Sequence, residues 1–179
     1  MTLSKKSSLG EALPKALFLD RDGVVNVEKN YLHKIDQFEL MDGILDVCRH
    51  YEAKGYLIII VTNQSGISRG YYSENDFKHL SDWMVERFKS LGVAITHIYH
   101  CPHHESIDGK CDCRKPEPGM FLEAQRDFNL DMENSVMIGD NERDIEAAIR
   151  AGVTTNILLS TQSEASKANQ IVKSLKELV

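Results

Sequence analysis

Ala16-Leu-Phe-Leu19, followed at once by Asp20-Arg-Asp22-Gly-Val-Val-Asn26, decides the fold. Four apolar residues in succession, with no polar alternation, describe a strand covered on both faces, as in a parallel sheet. The two carboxylates then fall where open α/β sheets carry their chemistry, at the carboxyl end of a strand. The same pattern recurs further along the chain. Leu57-Ile-Ile-Ile-Val-Thr62 runs into Asn63-Gln64-Ser65, and Val136-Met-Ile138 runs into Gly139-Asp140. Ile95-Thr-His-Ile-Tyr99 and Asn156-Ile-Leu-Leu159 complete five strand candidates.

Helical patterns lie between them. Ser73-Glu-Asn-Asp76 reads as an N-cap with acidic residues behind it, opening a helix to about Leu91 before Gly92. Phe77, Leu80, Trp83 or Met84, Phe88 and Leu91 repeat on it at helical spacing, which is a core stripe. Further helices are expected over 44–54, from Pro118 to about Phe128, over 141–151 before Gly152, and over 164–178. Strands alternating with helices predict an α/β fold, a doubly wound, Rossmann-like parallel sheet, as a single domain over 1–179. Residues 1–14 are expected to be a flexible tail. The stretch 22–42 is too long for a simple βα turn and predicts a hairpin-like flap beside the site, without room for a large cap.

Composition supports a folded enzyme-sized domain, with 42% hydrophobic and 27% charged residues. The net charge of −6 disfavours nonspecific nucleic-acid binding, which relies on spread positive charge. No apolar run approaches the ~20 residues of a membrane helix, and the basic N-terminus lacks an apolar signal core. A cytoplasmic protein is expected, with no membrane partner. No surplus apolar stripe suggests a partner subunit, so a monomer is expected.

Asp20 and Asp22, at i and i+2 of an extended segment, address one side. Carboxylates this close repel unless a cation lies between them. Magnesium favours a few carboxylates plus phosphate oxygens, and Asp140 can supply a third acid. One carboxylate could then attack phosphorus while its neighbour moves the proton, with Asp20 as nucleophile and Asp22 as acid and base. Thr62 offers a hydroxyl and Lys115 a point charge to the transferring phosphoryl group. A lone D-x-D would read better as a turn cap; its company here argues for chemistry.

Three of the four cysteines, Cys101, Cys111 and Cys113, lie close together in Cys101-Pro-His103-His104 and Cys111-Asp-Cys113-Arg114-Lys115-Pro116. Without a secretion signal such a cluster points to metal before disulfide. Three thiolates and one imidazole make a closed structural zinc site, with His103 or His104 as the fourth ligand. Arg114, next to Cys113, is expected to grip a second phosphate bidentately while Lys115 serves the first. Cys48 reads as a small buried apolar residue.

Phe18-Leu-Asp20-Arg-Asp22-Gly-Val-Val-Asn26, Val61-Thr62-Asn63-Gln64-Ser65-Gly, Lys115-Pro and Ile138-Gly-Asp140-Asn-Glu-Arg-Asp144 resemble, in order and spacing, the four motifs of the haloacid dehalogenase (HAD) phosphohydrolases. The resemblance runs from Ala16 to Leu159. It implies the roles above, and a backbone carbonyl of Asp22 on the magnesium ion. Asp144 would either help hold that metal or cap and pair within its helix. Val24 stands where many members have Thr. The cysteine loop resembles that of the heptose 1,7-bisphosphate phosphatases and the related histidinol-phosphate phosphatases, although shortened between His103 and Cys111. That pattern implies Cys101, His103, Cys111 and Cys113 as zinc ligands. It implies a phosphorylated sugar as substrate, losing its 7-phosphate, with Glu28, Lys29, Asn30, Tyr31, Asn63, Gln64, Ser65 and Arg114 touching it.

Overall fold

A computed structural model describes residues 12–162 and 165–179. Six parallel strands form one sheet in the order β3-β2-β1-β4-β5-β6. They are β1 (Lys15–Leu19), β2 (Tyr56–Asn63), β3 (Ile95–Cys101), β4 (Val136–Gly139), β5 (Thr155–Leu159) and β6 (Gln170–Val172). The helices are α1 (Ile44–Glu52), α2 (Glu74–Ser90), α3 (Glu105–Asp108), α4 (Gly119–Phe128) and α5 (Glu142–Arg150). The order reverses at β1, whose neighbours are β2 and β4, so the switch point falls on the strand that ends in Asp20.

Successive strand side chains point to opposite faces, and β1 accordingly divides the core. Leu17 and Leu19 join Ile58, Ile60 and Ile138 beneath Ile44, Val47, Met84 and Phe88 of α1 and α2. Ala16 and Phe18 join Ile59, Val61 and Met137 beneath Met120, Phe121, Ala147 and Ala148 of α4 and α5. Phe18 and Phe121 meet with ring centroids 4.8 Å apart. Burial on both faces is why these strands carry unbroken apolar runs. Cys48 is fully buried in the first cluster, where burial pushes its thiol up to about 12.

Three expectations need correction. The helix expected over 164–178 is replaced, among the described residues, by β6 and a 3₁₀ turn at Leu175–Leu178 capped by Ser174. Val172 and Leu175 still bury their side chains. The open edge of β5 takes residues 170–172 as a parallel neighbour, pairing Ile157 with Gln170 and Leu159 with Val172. The expected tail reaches too far, because the Pro14 carbonyl accepts a hydrogen bond from the Asp131 amide at 2.9 Å; residues 1–11 lie outside the described ones. Pro118 stands at the N-cap, one residue before α4.

The flap does pair as a hairpin. Val27 N donates to Glu39 O at 2.9 Å and Met41 N to Val25 O at 3.0 Å. At its tip Asn30 and Tyr31 both take left-handed backbone conformations, φ 45° and 57°. Two consecutive non-glycine residues there are uncommon, and the Glu28 carboxylate, accepting from Asn30 N at 2.6 Å, helps to hold the turn. Among the described residues no helix is long and apolar enough to cross a membrane.

Candidate active site

Two neighbouring strand ends, those of β1 and β4, bring three acids together. Oxygens of Asp20 (after β1), Asp140 (after β4) and Asp144 (first turn of α5) lie within 4.8 Å of one another. Gly23, with φ +91°, permits this approach, since a Cβ there would stand 2.1 Å from Oδ2 of Asp140. Gly139 plays the same part for Asp144, whose Cβ would lie 2.4 Å from an added methyl. Asp144 also closes a capping box, Oδ2 accepting from Asn141 N at 3.1 Å. Its two sequence readings are therefore compatible.

Lys115 supplies the positive charge. It is 2% exposed, and its Nζ donates to Asp20 Oδ1 at 2.7 Å and to Val61 O at 2.8 Å. The same nitrogen is 2.8 Å from Asp144 Oδ1. Burial works against the ammonium, but Asp144 and Asp20 together hold its pKa above the ordinary value. One ammonium does not neutralise three carboxylates. Burial, with the charges of Asp144 and Asp140, pushes Asp20 up to about 8 against the pull of Lys115. Burial and Asp144 push Asp140 up to about 6. An oxygen-lined cluster short of positive charge fits a hard divalent cation.

The Asp22 carboxylate is not part of that cluster, which corrects the expectation of Asp20, Asp22 and Asp140 as the acid trio. It faces a different set of donors. Arg21 grips it in a fork, Nη2 to Oδ2 at 2.9 Å and Nε to Oδ1 at 3.2 Å. Asn26 Nδ2 donates to Oδ1 at 3.1 Å and Gln64 Nε2 to Oδ2 at 3.0 Å. Gln64 Nε2 also reaches Thr62 Oγ1 at 2.9 Å. Thr62 is buried near the end of β2.

The expected substrate contacts divide. Asn63 is turned to the Lys115 backbone, donating to its carbonyl at 3.1 Å and accepting from its amide at 3.0 Å. Gln64 is 2% exposed with its amide fully engaged. Lys29 pairs with Glu39 at 2.9 Å along the flap. Glu28, Asn30, Tyr31, Asn63, Gln64 and Ser65 nonetheless all line one hollow of about 190 Å³ with Asp22 and Tyr72. Arg21 and Tyr72 carry no signal in the sequence, where one is an Arg between two acids and the other a loop tyrosine. Their partners are visible only in space.

The cysteine loop gathers Cys101, His103, Cys111 and Cys113, whose ligand atoms lie within 4.8 Å of one another. The sulfurs of Cys101 and Cys113 stand in bonding contact, as a disulfide. Four other edges of the cluster measure 3.6 Å (Cys101 to His103), 3.7 Å (Cys101 to Cys111), 3.6 Å (Cys111 to Cys113) and 3.3 Å (His103 to Cys113). A tetrahedral zinc about 2.3 Å from sulfur and about 2.0 Å from nitrogen spaces its ligands by roughly 3.5–3.8 Å. A disulfide accounts for one edge and leaves the convergence of Cys111 and His103 without a cause, so the donor set fits zinc. His104 faces away, its Nε2 2.6 Å from Arg69 Nη2 and its Nδ1 2.7 Å from Ser106 Oγ.

Arg114 hangs from this loop, Nη1 donating to His103 O at 3.1 Å. Half-burial, then the guanidiniums of Arg143 and Arg69, lower its pKa. Crowded cations of this kind suit an anion.

A HAD-hydrolase-like family profile matches residues 112–178. D-glycero-alpha-D-manno-heptose-1,7-bisphosphate 7-phosphatase of Campylobacter jejuni is 48% identical over 165 residues, 92% of this chain and 94% of that protein. The D-glycero-beta-D-manno-heptose-1,7-bisphosphate 7-phosphatase of Pasteurella multocida is 41% identical, covering 93% and 95%. The crystal structure of D,D-heptose 1,7-bisphosphate phosphatase from B. bronchiseptica, complexed with magnesium and phosphate, superposes with a TM-score of 0.80 at 28% identity, covering 92% and 95%. A HAD-like phosphatase of Mesorhizobium loti gives 0.84 at 29%, covering 97% and 88%. Matched along nearly its whole length, the chain belongs to the heptose-1,7-bisphosphate 7-phosphatase family of HAD-like phosphatases.

Proposed function

We propose that this protein removes the 7-phosphate of D-glycero-D-manno-heptose 1,7-bisphosphate, leaving the 1-phosphate, on the route to ADP-heptose. The observation that carries the reading is the buried contact of Lys115 with Asp20 at the end of β1, inside an acid cluster two positive charges short of balance. Relatives at 41–48% identity bear that substrate in their names.

Asp20, freed from Lys115 as the phosphate arrives, attacks phosphorus with a carboxylate oxygen. The bond from phosphorus to the sugar oxygen breaks, and that oxygen takes the proton held by Asp22. Asp22 then receives a proton from water as the water attacks the aspartyl phosphate. Inorganic phosphate leaves and Asp20 is restored. Lys115 and Thr62 face the phosphoryl oxygens, where charge builds in the transition state. Asp20, Asp140 and Asp144, with the Asp22 carbonyl, would hold magnesium, which supplies charge neutralisation at the phosphate. Cys101, His103, Cys111 and Cys113 would hold a structural zinc that fixes Arg114, and Arg114 would take the second phosphate.

The test is phosphate release from both anomers of the heptose bisphosphate, from histidinol phosphate and from common sugar monophosphates. The bisphosphate should lead by at least about tenfold in kcat/KM, and Arg114→Ala should remove that preference, since charge-assisted pairs contribute roughly 1.5–3 kcal/mol. Equal turnover of histidinol phosphate would end the assignment.

A further inference from the structure

The loop after β2 places Gln64 in the wall of the hollow, almost wholly buried. Gln64 makes hydrogen bonds on every side. Its Nε2 donates to Asp22 Oδ2 at 3.0 Å and to Thr62 Oγ1 at 2.9 Å. Its Oε1 accepts from Tyr72 Oη at 2.5 Å, with Arg21 Nη2 3.4 Å away. Both amide hydrogens are thus committed to Asp22 and Thr62, and Tyr72 holds the oxygen; Arg21 Nη2, whose two hydrogens go to Asp22 and Leu32 at 2.9 Å, only approaches it. Gln64 is 2% exposed, Arg21 1% and Tyr72 7%.

This network joins three parts of the site. Arg21 Nη2 also donates to Leu32 O at 2.9 Å, tying the flap to the Asp22 fork. The Tyr72 ring stacks on His33 of the flap, centroids 5.1 Å apart at 11°. Gly66 lets the loop lie flat against both, since a Cβ there would stand 2.2 Å from the Tyr72 ring and 2.9 Å from Tyr31. Burial raises the Tyr72 phenol to about 12, so its hydroxyl stays a donor.

We propose that Gln64 is a positioning residue: held by Tyr72, it fixes the Asp22 carboxylate and the Thr62 hydroxyl relative to one another, and it acts on the reaction through them rather than through a contact with the sugar. A misplaced acid slows transfer of every phosphate ester, because the proton must reach the leaving oxygen whatever lies beyond it. A lost sugar contact weakens only the sugar. The inference rests on the phosphatase reading and is indifferent to which sugar is used.

The test is steady-state kinetics of Gln64→Met and Tyr72→Phe on heptose bisphosphate and on p-nitrophenyl phosphate, with thermal melts alongside. For Gln64→Met we expect kcat to fall about 10- to 100-fold on both substrates with KM within about twofold, as for a group displaced by part of an ångström. Tyr72→Phe keeps the ring packing and should lose roughly three- to tenfold in kcat at an unchanged melting temperature. The double variant should be no slower than Gln64→Met, because both act through one link. A loss confined to the sugar and carried by KM would make Gln64 a substrate contact and overturn the proposal, as would full independence of the two changes. If Gln64→Met does not fold, Tyr72→Phe decides: wild-type kcat on both substrates overturns it. Turnover of p-nitrophenyl phosphate but not heptose bisphosphate by the wild type would instead remove the substrate assignment and leave this test standing.

Discussion

Lys115 Nζ stands 2.7 Å from Oδ1 of Asp20, and the two side chains are 1% and 8% exposed. The proposed nucleophile therefore rests against the cation proposed to serve its transition state, inside a cluster whose other members are Asp140 and Asp144. Two protons, or one divalent ion, can relieve what Lys115 does not.

The sign of the pH dependence follows. Asp20 is raised from 3.8 to about 8 and Asp140 from 3.8 to about 6. Stability from a raised group is full below its unfolded value and is lost as pH climbs through the folded one. Metal-free protein should thus lose stability progressively from about pH 4, most steeply up to about pH 6 where both groups contribute, more gently to about pH 8, and level off above that. Magnesium competes with those protons, so its gain in melting temperature should be small at pH 5.5 and largest near pH 8.5. Thermal melts in EDTA and in magnesium across that range check this. A magnesium shift independent of pH would mean that the ion binds elsewhere.

Lys115→Met tests the same contact from the other side. Removal of one buried partner commonly costs about 3–5 kcal/mol, but here the stranded carboxyls can take up protons. Denaturant melts of the metal-free variant should show a deficit at pH 8 that shrinks by pH 5.5. Activity should fall about 10²- to 10³-fold in kcat, the usual loss for one oxyanion donor.

What the sequence made legible is the part written at strand ends. Asp20, Thr62 and Asp140 each follow an unbroken apolar run, and such runs in a doubly wound sheet converge on one edge. The engagement of Gln64 with Asp22, 42 residues away, leaves no trace in spacing. Neither does the role of Arg21, whose fork is an accident of the turn after β1. The carboxyl-terminal segment misled for another reason. Ile171, Val172, Leu175 and Leu178 fit a helical face as well as a short strand followed by a turn. The free edge of β5 chose between them, which local pattern cannot reveal.

The cysteine cluster makes a prediction in thiol counts. A zinc site keeps all four cysteines reduced, whereas a Cys101–Cys113 disulfide leaves Cys48 and Cys111. Protein purified without reductant and denatured in chelator should titrate four thiols and release one zinc per chain by elemental analysis. Two thiols and no zinc would refute the metal. Cys113→Ser should lower zinc content and cut kcat/KM for the bisphosphate more than for p-nitrophenyl phosphate, because Arg114 loses its anchor first. His104→Ala should retain zinc, its imidazole being turned toward Arg69 and Ser106.

The loop is also braced from behind by α4. Gly119 N donates to Asp112 O at 2.8 Å, and a Cβ on Gly119 would stand 2.3 Å from that carbonyl oxygen and 3.1 Å from Cys113 Cα. These are backbone atoms, so they cannot rotate aside as a side chain would. Gly119→Ala must therefore push the Asp112–Cys113 peptide off its position, with an overpacking cost of about 1–3 kcal/mol. The displacement passes directly to Cys113, a proposed zinc ligand, and along the next two residues to Arg114 and Lys115. Zinc affinity measured by competition with a chromophoric chelator should drop while the far-ultraviolet spectrum is retained, and kcat should fall with it. Unchanged zinc affinity would place the support of the loop elsewhere than on this glycine.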